Sequence, residues 1–177
     1  MSFLHPSTSI DSLEIIPGQR IADFGCGSGH WAAALSRAVG PGGKVFAIDI
    51  QEPALEATRA LMRSLHLQNI ETIRADVETP SATALKDATL DAVLISNMLF
   101  QADQKANVAK EAARILKPGG RVFLIDWDST NSPSSMGPPL RQRMSRTAVQ
   151  ELFEAVGMHY IKEFNTGSYH YGLIFRK

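Results

Sequence analysis

The heptapeptide Asp23-Phe24-Gly25-Cys26-Gly27-Ser28-Gly29 decides the reading of this chain. It ends Arg20–Phe24, a short apolar run that reads as a strand, and leads into His30–Val39, an Ala-rich run that reads as a helix. A strand-to-helix turn of this kind is where open α/β sheets bind nucleotides. Glycine suits the turn because a side chain would hold a ligand off the backbone, and because such turns can require positive φ.

Working outward, Lys44–Asp49, residues 70–75, Leu90–Ser96 and residues 121–127 read as further strands, with turn residues such as Pro17-Gly18 and Pro118-Gly119-Gly120 between them. Residues 53–65 and 104–116 have helical periodicity, the second carrying Val108, Ala112, Ile115 and Leu116 on one face. Residues 77–89 are expected to form a short helix. Beyond Trp127 the composition turns polar and Pro-rich over 128–139, a mobile or functional loop by its length. A helix is expected over 146–156, with Thr147 and Gln150 at capping-box spacing and Gly157 as its stop. Residues 158–165 and 169–175, separated by Thr166-Gly167-Ser168, read as an antiparallel hairpin. Alternating strands and helices predict an α/β fold built on a mostly parallel sheet. With 177 residues and no internal repeat, residues 1–177 are expected to make a single domain.

The glycine spacing is G-x-G-x-G; a dinucleotide fingerprint would place its third glycine at position 30, which is His30. Asp23 sharpens the distinction. A carboxylate two residues before the first glycine repels a pyrophosphate and favours a ligand carrying an ammonium and a sulfonium. The pattern therefore points away from NAD and towards S-adenosylmethionine. Asp49 ends the second strand 20 residues past Gly29, where a carboxylate can accept both hydroxyls of a ribose. Ile50 follows it and is grouped with the cofactor-binding residues. Asp76 is placed to accept from an adenine amino group while Val77 covers the ring, and Asn97 and Met98 stand at the rim of the same crevice. Each acid taken singly also reads as a helix cap or a solvated strand end.

Composition bounds the partners. Hydrophobic residues are 44% and charged residues 20%, and 18 Lys plus Arg balance 18 Asp plus Glu. A zero balance lacks the long-range attraction to phosphate on which nucleic-acid and anionic-membrane binders rely, so nucleic acid is disfavoured as a partner. Arg141, Arg143 and Arg146 form a short basic cluster, read here as a solvated approach to a helix. The single cysteine, Cys26, allows no intramolecular disulfide and no Cys-based metal site, and a cytoplasmic location is expected. Neither a signal peptide nor a membrane span is expected.

The segments Asp23-Phe-Gly-Cys-Gly-Ser-Gly29, Val45-Phe-Ala-Ile-Asp49, Asp91-Ala-Val-Leu-Ile-Ser96 and Leu116-Lys-Pro-Gly-Gly120 resemble those of class I S-adenosylmethionine-dependent methyltransferases, over nearly the whole chain. The resemblance implies a Rossmann-like three-layer sandwich whose seven-stranded sheet has the order 3-2-1-4-5-7-6 with an antiparallel last strand. It also implies that Gly25, Gly27 and Gly29 line the methionine part of S-adenosylmethionine, Asp49 the ribose, and Asp76 with Val77 the adenine. Leu124-Ile-Asp-Trp127 and Gly137-Pro-Pro139 resemble the small-molecule enzymes of the ubiquinone and menaquinone biosynthesis type. That subgroup has more chain before the glycine loop, so the expectation is a reduced substrate lid or one supplied by a second subunit of a homodimer. Arsenic methylation is disfavoured, because its thiolate set requires several cysteines.

The expected activity is methyl transfer to a small organic acceptor. Displacement at a sulfonium needs alignment more than proton transfer, so the lack of a catalytic triad does not count against it. A general base is required only for an acceptor that keeps its proton at neutral pH. His30, after the glycine loop, and His170, at the start of a strand that runs against the others, are the candidates, with structural packing the competing reading for both. Trp31, Phe100, Trp127 and Met136 are candidate apolar walls. The alternatives are a non-catalytic S-adenosylmethionine-binding module or activator subunit, and behind it an RNA methyltransferase or an NAD-dependent dehydrogenase.

Overall fold

The computed structural model describes residues 5–130 and 135–177. In chain order its elements are α1 (Pro6–Ser9), β1 (Arg20–Phe24), α2 (His30–Val39), β2 (Lys44–Asp49), α3 (Glu52–Ser64), β3 (Ile70–Arg74), β4 (Leu90–Ser96), α4 (Lys105–Ile115), β5 (Leu116–Trp127), α5 (Arg146–Glu154), β6 (His159–Phe164) and β7 (His170–Arg176). Short 3-10 turns occupy Ile10–Leu13, Leu99–Gln101 and Leu140–Gln142.

The strands form one sheet in the order β3-β2-β1-β4-β5-β7-β6. Neighbours are parallel except at β7, which is antiparallel to both β5 and β6. This is the expected order with its reversed last strand. Helices cover both faces: Leu35 of α2 and Leu55 of α3 join one core, Val108 of α4 and Phe153 of α5 the other. Along β4, Ala92 and Leu94 face the first core and Val93 and Ile95 the second, all fully buried. Burial on both faces explains why residues 92–95 read as an unbroken apolar run. The strand order reverses between β1 and β4, which opens a crevice outside their carboxyl ends.

Four local expectations are corrected. Residues 77–89 contain turns and no helix. Pro80 lacks an N–H, and the Asp76 carboxylate accepts from Glu78 N and Thr79 Oγ1, so local side-chain bonds outcompete the helical ladder. The cap of α5 is Ser145, whose Oγ accepts from Ala148 N, in place of the Thr147 and Gln150 pair. Pairing of β5 begins at Leu116, where α4 ends, and runs through Pro118-Gly119-Gly120 with an irregularity opposite Leu90 and Ala92. The Arg143 guanidinium is buried: it donates to Asp128 O at 3.0 Å, to Pro138 O at 2.9 Å and to Met136 O, and lies over the Trp127 ring. It is a strut for the loop after β5. Arg146 pairs with Asp128 at 2.8 Å, leaving Arg141 as the exposed member of the cluster. The first four residues of the chain, and residues 131–134 of the Pro-rich loop, lie outside the described residues.

No helix among the described residues is long and apolar enough to cross a membrane.

Candidate functional site

The glycine loop crosses the carboxyl end of β1. Gly25 and Gly27 have φ of 70° and 53°, a conformation that L side chains rarely adopt. The loop spends its own amides internally. Gly25 N and Cys26 N donate to Ile48 O at 2.8 and 3.0 Å, Gly27 N donates to Asp49 Oδ2 at 3.0 Å, and Gly29 N donates to Cys26 O at 2.9 Å. A phosphate cradle needs such N–H groups free and pointing at the anion. Here four of them are committed, so the loop offers close backbone approach without an anion nest.

The loop borders a cleft of about 950 Å³. Its charged walls are acidic: Asp49, Asp76 and Glu78 line it, and among the described residues no lysine or arginine does. A cleft with this balance favours a cationic ligand over a diphosphate. Asp49 is held by two amides, Gly27 N and Gln51 N, at 3.0 and 2.9 Å, which orient the carboxylate and leave it lone pairs for hydroxyl donors. Asn97, with φ of 53°, donates its amide to Ile125 O, while its Oδ1 is buried without a partner.

Of the residues singled out from sequence, Gly25, Gly27, His30, Asp49 and Ile50 line the cleft, as do Asp76, Val77 and Asn97. Ile50 is 55% exposed, a large apolar side chain bare to solvent beside an acid. Asp23, Gly29 and His170 are absent from its lining. Asp23 is 1% exposed; it accepts from the Ala32 amide, and its Oδ2 has no partner. Burial first, then the neighbouring Asp49 charge, pushes its carboxyl up to about 8. Of the candidate walls, Trp31 lines the cleft; Phe100, Trp127 and Met136 do not.

His170 packs against Trp127 with ring centroids 4.2 Å apart, and neither ring nitrogen has a partner. Burial, and then the Arg143 charge, lowers its imidazole to about 4. The ring is therefore neutral in the folded protein at neutral pH, and the folded state binds fewer protons than the unfolded one between about pH 4 and 6.5. Stability that is complete above pH 6.5 is lost as pH falls through that window. His170→Phe is expected to remove about 2–3 kcal/mol of this acid-side loss. Urea unfolding at pH 7 and pH 4.5 checks it; an equal loss in both proteins would clear His170 of the effect.

Sequence reasoning missed Thr58 and Gln51. Thr58, 1% exposed on α3, donates its hydroxyl to Gly27 O at 2.9 Å, and a Cβ on Gly29 would come within 2.7 Å of that hydroxyl. Gly29 is thus a packing glycine between loop and helix. A legible trace existed, since Thr58 lies three residues after Leu55 on the buried side of α3. Cys26 packs beside Thr58, and burial drives its thiol up to about 12, so it is not a nucleophile.

Residues 21–120, more than half of the chain, match the family described as Methyltransferase domain. The chain is 32% identical over 126 residues to the demethylmenaquinone methyltransferase of Bacillus cytotoxicus, covering 71% of this chain and 50% of that protein. It is 35% identical over 118 residues to the demethylmenaquinone methyltransferase of Lactococcus lactis, covering 67% and 46%. The crystal structure of a SAM dependent methyltransferase from Aquifex aeolicus matches with a TM-score of 0.88 at 25% identity, over 98% of this chain and 90% of that one. The chain belongs to the S-adenosylmethionine-dependent methyltransferases. It spans about half the length of the curated methyltransferases it matches. S-adenosylmethionine is the methyltransferase cofactor, and the acidic cleft with its committed loop amides fits that cation.

Proposed function

We propose that this chain transfers the methyl group of S-adenosylmethionine to a small organic acceptor in the cleft beside the glycine loop. The observation that carries the reading is Asp49: its carboxylate is oriented by the Gly27 and Gln51 amides at the wall of a cleft lined by acids. When bound, S-adenosylmethionine supplies an electrophilic methyl on a sulfonium whose thioether leaves neutral, so no general acid is required.

Asp49 accepts the ribose hydroxyls, and Asp76 accepts from the adenine amino group. Ile50 and Val77 give the adenine its apolar contacts. Gly25 and Gly27 admit the chain of the methionine part, and the orphaned Asn97 Oδ1 accepts from its ammonium. Asp23 and Gly29 act from behind the loop, Asp23 by its charge and Gly29 by letting Thr58 close on it. His30, Trp31 and Gln101 border the same cleft and meet the acceptor. The chain contributes alignment, which for reacting atoms held about 3 Å apart is worth several kcal/mol. Where the acceptor carries a proton at neutral pH, His30 is the base within the cleft; His170 lies outside it. The demethylmenaquinone methyltransferases among its relatives make reduced quinones the first acceptors to try.

The test is formation of S-adenosylhomocysteine with quinols, catechols, thiols and RNA. Turnover with a small acceptor supports the proposal; tight cofactor binding with turnover only on RNA, or with none, overturns it. Asp49→Ala is expected to weaken S-adenosylhomocysteine by about 1.5–3 kcal/mol through loss of charged hydrogen bonds to the ribose. Calorimetry reads the effect, and unchanged affinity would take Asp49 out of the site.

A further inference from the structure

The wall of the cleft formed by Ala75, Asp76, Val77 and Glu78 belongs to a connection with no helix of its own. Between β3 and β4 the backbone passes through three non-glycine residues at positive φ: Ser81 at 60°, Ala84 at 55° and Ala88 at 53°. Such conformations persist only where the surroundings over-determine them. The surroundings here are one face of α4 and the residue before it. Gln104, Asn107, Glu111 and Arg114 follow one another at spacings of three, four and three, so they form a single stripe along the helix.

Every member of the stripe grips the connection. The Gln104 amide donates to the Glu78 carboxylate, and Asn107 Nδ2 donates to Glu78 O at 2.9 Å. The Glu111 carboxylate, 3% exposed, accepts from Ser81 N at 3.2 Å and from the Thr83 hydroxyl. Arg114 grips that carboxylate with Nε and Nη2, at 2.9 and 2.7 Å, and donates through Nη1 to Leu85 O at 2.8 Å and to Asp87. None of Asn107, Glu111 and Arg114 lines the cleft.

We propose that this stripe is the nucleobase-positioning device of the site: Asn107 and Glu111 hold the 76–83 turn so that Asp76 meets the base at a fixed place, which makes them determinants of base specificity that never touch the ligand. The inference rests on the reading of Asp76 as the acceptor of the adenine amino group. It goes beyond that reading by assigning the discrimination between bases to α4.

The test compares S-adenosylhomocysteine with S-inosylhomocysteine, in which a carbonyl replaces the adenine amino group, by calorimetry on wild type, Asn107→Ala, Glu111→Ala and Glu111→Gln. Wild type is expected to prefer the adenine ligand tenfold or more. In the two alanine variants that preference falls to threefold or less, while affinity for the inosine ligand stays within about threefold of wild type. Glu111→Gln, which retains an acceptor oxygen, keeps part of the preference. A structural role alone would weaken both ligands together, and an unchanged ratio in folded variants overturns the proposal. Amide exchange without ligand judges the tether separately: the Ser81 and Ala82 amides are expected to exchange at least tenfold faster in Glu111→Ala, with strand amides unchanged, and unaltered exchange overturns the tether. Absence of any base preference in wild type would remove the Asp76 reading, and with it the specificity role of the stripe.

Discussion

Asp23→Asn is expected to stabilise the ligand-free protein by about 3 kcal/mol at pH 7, and to weaken S-adenosylhomocysteine tenfold or more. The two effects have one cause. Asp23 is buried with one oxygen unpartnered, and burial with the Asp49 charge raises its carboxyl from 3.8 to about 8. The folded chain therefore holds a proton that the unfolded chain releases near pH 4. Its contribution to stability is complete below that pH and is lost as pH rises towards 8, a penalty of about 4 kcal/mol at pH 7. An uncharged amide of the same shape returns most of it, which corresponds to a rise in thermal midpoint of roughly 5–10 °C for a chain of this length. The same carboxylate becomes favourable when the ligand's ammonium enters the cleft, so wild-type affinity for S-adenosylhomocysteine rises with pH between about 6 and 8 and the variant's stays flat. A variant with the wild-type midpoint at pH 8 and an unaltered binding profile would show that Asp23 is not strained by its charge.

Gly27→Val is expected to reduce S-adenosylhomocysteine binding by a hundredfold or more while the fold survives. A Cβ at Gly27 meets no protein atom within 4 Å, so the added branches enter the cleft instead of the core. The backbone is at φ 53°, where a β-branched residue costs about 1–2 kcal/mol, and the thermal midpoint should fall by several degrees. Gly27→Ala separates the two causes, because it carries the backbone penalty with much less bulk. A dissociation constant within threefold of wild type in the valine variant would mean that the ligand lies elsewhere.

The sheet was legible in the sequence because its strands bury both faces: residues 92–95 of β4 are all apolar, and α4 separates this strand from β5. The reversed β7 was legible because Thr166-Gly167-Ser168 leaves no room for a crossover. Five residues read from their places at strand ends, Gly25, Gly27, Asp49, Asp76 and Asn97, line the cleft. What escaped depends on contacts distant in sequence. Ala82, Ala84 and Ala88 gave 77–89 a helical composition, yet its conformation is dictated by α4. Thr58 reaches Gly27 across 31 residues. His170 does begin the strand that runs against its neighbours, opposite Trp127. Its burial comes with the Trp127 ring beside it, a contact distant in sequence, and that ring is in turn packed against Gly137, where an added Cβ would come within 2.5 Å of it.

A glycine turn with four amides, those of Gly25, Cys26, Gly27 and Gly29, engaged with β2 and with itself is held in shape before anything binds. The hydrogen bonds that shape it are made within the protein and do not depend on a bound nucleoside. The ordering entropy of that stretch is met once, at folding, and does not recur with each round of turnover. Selection between the spent and the charged forms of the cofactor then falls to the one property in which they differ most, the formal charge on sulfur, to which the neighbouring carboxylates respond.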